Sequence, residues 1–177
     1  MNYVFIATSL DGYIAKQDGD IEWLHENPNP NNDDYGYAEF INNIDVLVMG
    51  RNTYEKVRSF DTWPYEKKVV VLSHTLNEVP EELAGKVEFF FGSVNSVVEH
   101  CHKNGFQNLY IDGGRVIQSF LDNDLIDELI TTRLPIILGK GIPLFSIMDE
   151  SLIFKHKSTT VYDEALVKSH YVRCGKV

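Results

Sequence analysis

The sequence predicts an α/β fold, a mainly parallel sheet that ends in an antiparallel C-terminal hairpin. Three features carry that expectation. Short continuous apolar runs recur through residues 3–112, as strands buried on both faces require. Segments with helical start signals lie between them. Beyond residue 128 the runs lengthen and begin to alternate apolar with polar positions.

The first strand is residues 3–9 (YVFIATS). Residues 25–37 (HENPNPNNDDYGY) form a Pro/Asn-rich loop whose length suits a binding loop. Residues 37–44 (YAEFINNI) read as a helix before the second strand, 45–50 (DVLVMG), and residues 53–60 (TYEKVRSF) as the helix after it. Residues 68–73 (KVVVLS) and 87–91 (VEFFF) are the third and fourth strands. Residues 93–105 hold a helix with a Ser-x-x-Glu capping box at Ser96 and Glu99 and a stop at Gly105. Residues 108–112 (NLYID) are the fifth strand, followed by a helix over 115–123. The remaining runs are 128–138, 151–163 and 165–175, with Asp163 and Glu164 as the turn of the last pair.

At 177 residues, residues 1–177 are expected to form a single domain. The apolar fraction of 44% and charged fraction of 24% are those of a globular protein, and no apolar run approaches the ~20 residues of a membrane span. The N-terminus has neither a basic segment nor a cleavage site, so the expected location is cytoplasmic. A net charge of −10 without a basic cluster argues against nucleic-acid or membrane partners and leaves room for a small anion held by local donors. Cys101 and Cys174 have no metal-binding spacing. His100 and His102 lie two apart on a helix and point to different faces, so no metal is assigned.

Two turns share one pattern. In DVLVMGRNTYE an apolar strand runs into Gly50, Arg51, Asn52 and Thr53; in YIDGGRVIQSFL another runs into Gly113, Gly114, Arg115 and Val116. Glycine allows close backbone approach, a fresh helix offers free N–H groups, and arginine adds fixed charge, so each turn can hold a phosphate. Asn52 or Thr53 is the expected helix cap in the first. Two such turns at the C-terminal edge of one sheet suit the diphosphate of a dinucleotide, although neither has the GxGxxG spacing. Ser73 and His74, at the end of VVVLSH, fall on the same edge and suit an adenosine 2′-phosphate.

The segments IATSLDGYIA, DGDIEW, VLVMGRNTYE, VVVLSH and IDGGRVIQSFL, in this order, resemble the dihydrofolate reductase superfamily. They are most similar to its branch containing the reductase domain of riboflavin biosynthesis. The resemblance covers nearly the whole chain. It implies a three-layer fold with an eight-stranded sheet, helices on both faces and NADPH as cofactor. By position, Ala7 and Ile14 would flank the nicotinamide; Gly50 to Thr53 and Gly113 to Val116 would hold phosphates, with Ser73 and His74 at the adenosine end. Trp23 and Thr131 would lie at the substrate, Thr131 beside a buried acid.

The implied activity is hydride transfer to a small pteridine-, pyrimidine- or related heterocyclic substrate, in a homodimer. The alternative is a catalytically silent nucleotide-binding homodimer of the same fold. A dihydrofolate reductase carries an acid on the helix before the second strand. Here Asp33, Asp34 and Glu39 are the options, with Asp34 as the catalytic candidate. The family's Gly-Gly-Gly turn is replaced by Asp112-Gly113-Gly114. No second basic cluster stands ready for a substrate phosphate; Arg58, Lys67 and Lys68 are scattered.

Overall fold

The chain opens with β1 (Asn2–Thr8), a short β2 (Tyr13–Ala15), a 3-10 turn at Glu22–His25 and α1 (Tyr37–Asn42). β3 (Val46–Gly50) passes directly into α2 (Arg51–Arg58), and β4 (Lys68–Leu72), β5 (Val87–Phe90), α3 (Val94–Lys103), β6 (Leu109–Asp112) and α4 (Gly114–Asp122) complete the alternating part. β7 (Glu128–Arg133), β8 (Ile142–Pro143), β9 (Phe154–Tyr162) and β10 (Leu166–Arg173) follow. This computed structural model describes residues 1–26, 28–29 and 31–175. Asn27 and Pro30 of the expected binding loop lie outside the described residues.

Eight strands form one sheet in the order β5-β4-β3-β6-β1-β7-β10-β9. Neighbours from β5 to β7 are parallel, and β10 runs antiparallel to both β7 and β9. The mixed sheet and the C-terminal hairpin therefore stand as expected. β2 and β8 pair separately, antiparallel; strands of three and two residues are too short to leave a periodic signal.

The continuous apolar runs have the reason the sequence suggested. In β3, Val46, Leu47, Val48 and Met49 are all buried, alternately beneath two helical layers. On one face α3 and α4 bring Val97, Ile117 and Phe120 against Val46, Val48 and Ile111. On the other, α1 and α2 bring Phe40 and Tyr54 against Leu47, Met49 and Tyr110. A third, smaller cluster joins Trp23, Leu134 and Leu166. Among the described residues, no helix is long and apolar enough to cross a membrane.

Three local expectations need correction. The third helix is capped by Ser93, whose hydroxyl accepts the Ser96 N–H, so the Ser96–Glu99 box lies inside the helix. The second helix starts at Arg51 on Gly50, two residues before the expected start, and neither Asn52 nor Thr53 caps it. β7 stops at Arg133, short of residue 138, because Pro135 follows and has no N–H for a ladder. The hairpin turn is as expected: Asp163 and Glu164 have φ of 49° and 56°, and the Ala165 N–H donates to the Tyr162 carbonyl at 2.9 Å. Positive φ at both central residues gives the twist that suits a two-residue hairpin.

Candidate active site

Register brings the two glycine turns together. Gly50 of β3 pairs with Leu72 of β4, and Met49 pairs with Asp112 of β6, so Gly50, Ser73 and Gly113 stand at one edge, the C-terminal ends of parallel strands. Gly113 has φ of 89°, and a Cβ there would lie 2.2 Å from Thr53 Oγ1. A Cβ on Gly50 would lie 3.1 Å from Val116 Cγ2. The turns interlock, each glycine accepting a side chain from the other turn.

Both helices begin on a glycine with no side-chain cap, whereas α3 has Ser93. The first-turn N–H groups of Arg51, Asn52 and Thr53 and of Gly114, Arg115 and Val116 therefore face the edge without a capping oxygen, as anion-binding helix ends do. Val116 itself is buried, so its backbone alone is available there. Arg51 donates to Thr75 Oγ1 at 3.1 Å and lies 3.6 Å from Glu55, which ties α2 to the loop after β4. Arg115 is exposed and has no ion pair among the described residues. Ser73 is buried, and its hydroxyl accepts the N–H groups of Thr75 and Leu76 at 3.1 and 3.0 Å, which fixes the turn after β4. His74 is exposed and stands edge-on to Phe91, 4.7 Å between ring centres.

The β2–β8 pair reaches the same place. A Cβ on Gly114 would lie 2.8 Å from Ile14 Cδ1 and 3.2 Å from Ile142 Cγ2, so Ile14 rests on the start of α4. The turn before β2 is braced by Asp11, which accepts from Ser9 Oγ (2.6 Å) and from the N–H groups of Leu138 (3.1 Å) and Gly139 (2.7 Å). These bonds hold its carboxyl below the usual range, the Ser9 hydroxyl foremost. Ala7 packs in the third cluster with Trp23, which is fully buried with an indole N–H that has no partner among the described residues.

Strand parity sets Thr131 and Thr132 on opposite faces of the sheet. Phe5 pairs with Ile130 and Ala7 with Thr132, and Phe5, Ile130 and Tyr110 share one core, so Thr132 lies on the face of Ala7 and Asp112. Thr131, beside Ile6, points to the α3–α4 face. Asp34 is exposed and accepts the N–H groups of Gly36 and Ala38, each at 2.8 Å, at the start of α1. Those bonds lower its pKa, Ala38 first, which is the opposite of what a proton carrier near neutral pH requires.

Asp112 is the last residue of β6. Burial pushes its carboxyl up to about 6, against the hydrogen bond from the Gly113 N–H at 2.8 Å. The residue as a whole keeps an intermediate exposure to solvent. Tyr37, Tyr65 and Tyr110 lie close enough to respond to its charge. Burial first and Asp112 second raise Tyr37 to about 12, and Tyr65 and Tyr110 rise for the same two reasons. Tyr110 donates to the Phe5 carbonyl at 2.9 Å. In the sequence, the only mark of this site is the acid that closes YID before two glycines. Among the described residues no cluster of three or more His, Cys, Asp or Glu could hold a metal.

Residues 3–168 match the RibD C-terminal domain. The chain belongs to that family. It is 35% identical over 173 residues, 96% of each chain, to YwjB of Bacillus subtilis (strain 168). The crystal structure of a Shewanella sp. PV-4 protein assigned to riboflavin biosynthesis is 49% identical, covers 98% of both chains and has a TM-score of 0.94. Dihydrofolate reductase from Enterococcus faecalis, solved with NADP(H), has a TM-score of 0.69 at 22% identity, over 98% of this chain and 96% of that one. The RibD C-terminal domain thus shares the dihydrofolate reductase fold, an α/β reductase-like architecture.

Proposed function

We propose that this chain is an NADPH-dependent reductase of a small heterocycle of pteridine or pyrimidine type, with Asp112 carrying the accompanying proton. The observation that supports it most is the interlock of two uncapped helix starts across Gly113 and Thr53. A diphosphate fits this arrangement, since first-turn N–H groups from both helices converge on one edge and Arg51 and Arg115 supply charge. The residues that would hold the cofactor are Gly50 to Thr53 and Gly113 to Val116, with His74 at the adenosine end and Ile14 and Ala7 toward the nicotinamide. Ser73 acts through the turn it fixes.

Bound NADPH supplies hydride. The chain has to place the acceptor, exclude water and provide one proton for each hydride accepted. Asp112 suits the last task because burial lets its carboxyl keep a proton up to about pH 6, well above an ordinary carboxylate, and it sits beside Gly113 of the cofactor turn. A C=N acceptor would take the proton on nitrogen from the Asp112 carboxyl, which is then reprotonated from solvent.

Titration with NADPH and NADH, followed by the emission of Trp23 and Trp63, tests the cofactor. Saturable NADPH binding is expected, and Arg51→Ala should weaken it about tenfold, the worth of one charge-assisted contact. Absence of saturable binding removes the reading. NADPH oxidation with dihydropterins, dihydrofolate and aminouracil derivatives tests turnover. Tight NADPH binding with no acceptor consumed by this panel favours the silent nucleotide-binding protein.

A further inference from the structure

The C-terminal hairpin reaches the turn that starts α1 through one lysine. Lys168 of β10 pairs with Thr132 of β7 and Thr160 of β9, so its side chain leaves the sheet on the face of Phe5 and Ala7. Its ammonium donates to the Tyr35 carbonyl at 2.8 Å and lies 5.1 Å from the centre of the Tyr162 ring. Tyr162 stands edge-on to Tyr35 at 5.1 Å, and both rings pack against the cluster of Trp23, Leu134 and Leu166. The ammonium also takes the place where a side chain at residue 36 would begin: a Cβ on Gly36 would lie 2.6 Å from Lys168 Nζ.

The turn gripped in this way is one that needs holding. Tyr35 and Gly36 have φ of 56° and 83°, two left-handed residues in succession. A tyrosine stays in that region only where its surroundings fix it. Asp34 fixes the turn from within, accepting the N–H groups of Gly36 and Ala38, and Lys168 fixes it from the sheet. The lysine does not act mainly as an ion pair. The Ala38 N–H is the first cause that holds the Asp34 carboxyl down, and the Lys168 charge is the last. Its contact is that of a charged donor on a neutral carbonyl, backed by an aromatic face.

What the turn places is the first residue of α1. Tyr37 follows Gly36 directly, stands edge-on to Phe5 at 5.8 Å and lies close enough to Asp112 to respond to its charge. Three residues on, Phe40 stacks on Phe5 at 4.8 Å. The titratable groups that act with Asp112 are Tyr37 from α1, Tyr65 from the segment before β4 and Tyr110 from β6. Of these three elements, α1 is the one whose start Lys168 holds.

We propose that Lys168 is a positioning residue, a latch by which the C-terminal hairpin holds the Asp34–Gly36 turn and so keeps Tyr37 beside Asp112. The latch stands on this geometry alone; that it serves proton delivery rests on the reductase reading.

Amide exchange and an NMR pH titration of the full chain test it. Lys168→Met keeps an unbranched stem and loses the ammonium. In that variant the amides of Gly36, Tyr37 and Ala38 should exchange about tenfold faster, the worth of one charge-assisted bond, while those of β6 keep their rates. The Gly113 N–H is bonded to the Asp112 carboxyl and reports its titration. Its midpoint should fall by about half a pH unit as water gains access to the carboxyl. The direction is decisive, because losing a positive charge that acted through space would raise the midpoint. A midpoint that rises or stays, or unchanged exchange at the start of α1, overturns the latch. Gly36→Ala meets the same contact from the other side and should move both readings in the same directions, which keeps the test open if Lys168→Met does not fold. Lys155→Met, at an exposed position of β9, removes an equal charge from the hairpin and should move neither reading; equal effects from it overturn the latch as well. NADPH titration of the same samples separates the two readings. If wild type fails to bind NADPH, the reductase reading falls, and exchange and the Gly113 midpoint still decide the latch.

Discussion

At Asp112, position and ionisation oppose each other. Its carboxyl titrates at about 6 in the folded chain against an ordinary 3.8, so the folded state binds the proton more tightly than the unfolded state between those values. Stability therefore falls as pH rises from about 4 to about 6 and is level above that. At about 1.36 kcal/mol per pH unit, the penalty at neutral pH is on the order of 2 kcal/mol once its partial contact with solvent is allowed for. Asp112→Asn is expected to raise stability by about that much in urea unfolding at neutral pH and to leave it unchanged near pH 4, while reducing turnover at least about a hundredfold. In the wild type, turnover should decline as pH rises through about 6. A variant no more stable at neutral pH, or equally active, would show that Asp112 is neither penalised nor used. The glycines and arginines of the two turns were legible because their requirements are local: a φ of 89° at Gly113, an open helix start after Gly50. Asp112 was not. Its raised pKa comes from burial that strand neighbours and tyrosines distant in sequence create. Asp34 attracted the role because it precedes a helix, and that same position gives it a capping task.

Strand–turn–helix units decide how closely the two halves of the edge can meet. Continuous apolar runs located β1, β3, β4, β5 and β6 within a residue or two, since burial on both faces leaves few polar positions. Helix starts were less legible. Gly50, with φ of −88° and ψ of 168°, ends β3 and begins α2 in one residue, leaving no room for a side-chain cap. Thr53, one of the two expected caps, is the side chain that fills the space above Gly113. Gly113→Ala should therefore destabilise the chain in two ways. A left-handed φ costs about 1 kcal/mol for alanine. The clash with Thr53 Oγ1 at 2.2 Å adds about 1–3 kcal/mol of overpacking. Thr53→Ala in the same chain removes Oγ1 and Cγ2 and leaves only a 3.3 Å contact, so the double variant should regain the clash share and keep the φ share. Urea midpoints of the four proteins form the cycle; strictly additive losses would mean the turns do not meet as described.

The whole molecule is organised around its N-terminal strand. β1 lies between β6 and β7, pairing with residues 109–110 and 128–133, so the middle of the sheet closes only when most of the chain is available. Class and hairpin were legible in the sequence, but the strand order was not: it depends on which crossovers pack, a choice made by contacts remote in sequence. The small cluster of Trp23, Leu134 and Leu166 ties the segment after β2, the segment after β7 and the start of β10 into one contact. The hairpin is accordingly expected to unfold with the parallel sheet and not before it. Leu166 is 3% exposed, and Leu166→Ala should remove about 2–4 kcal/mol by leaving a cavity beside Trp23. In a Trp63→Phe background, Trp23 emission reports that contact alone, and far-UV circular dichroism reports the sheet. Coincident urea transitions, both moved to lower urea by Leu166→Ala, are expected of one cooperative unit. If Trp23 emission changes at lower urea than the dichroism, the β9–β10 hairpin opens by itself and the chain is not a single folding domain.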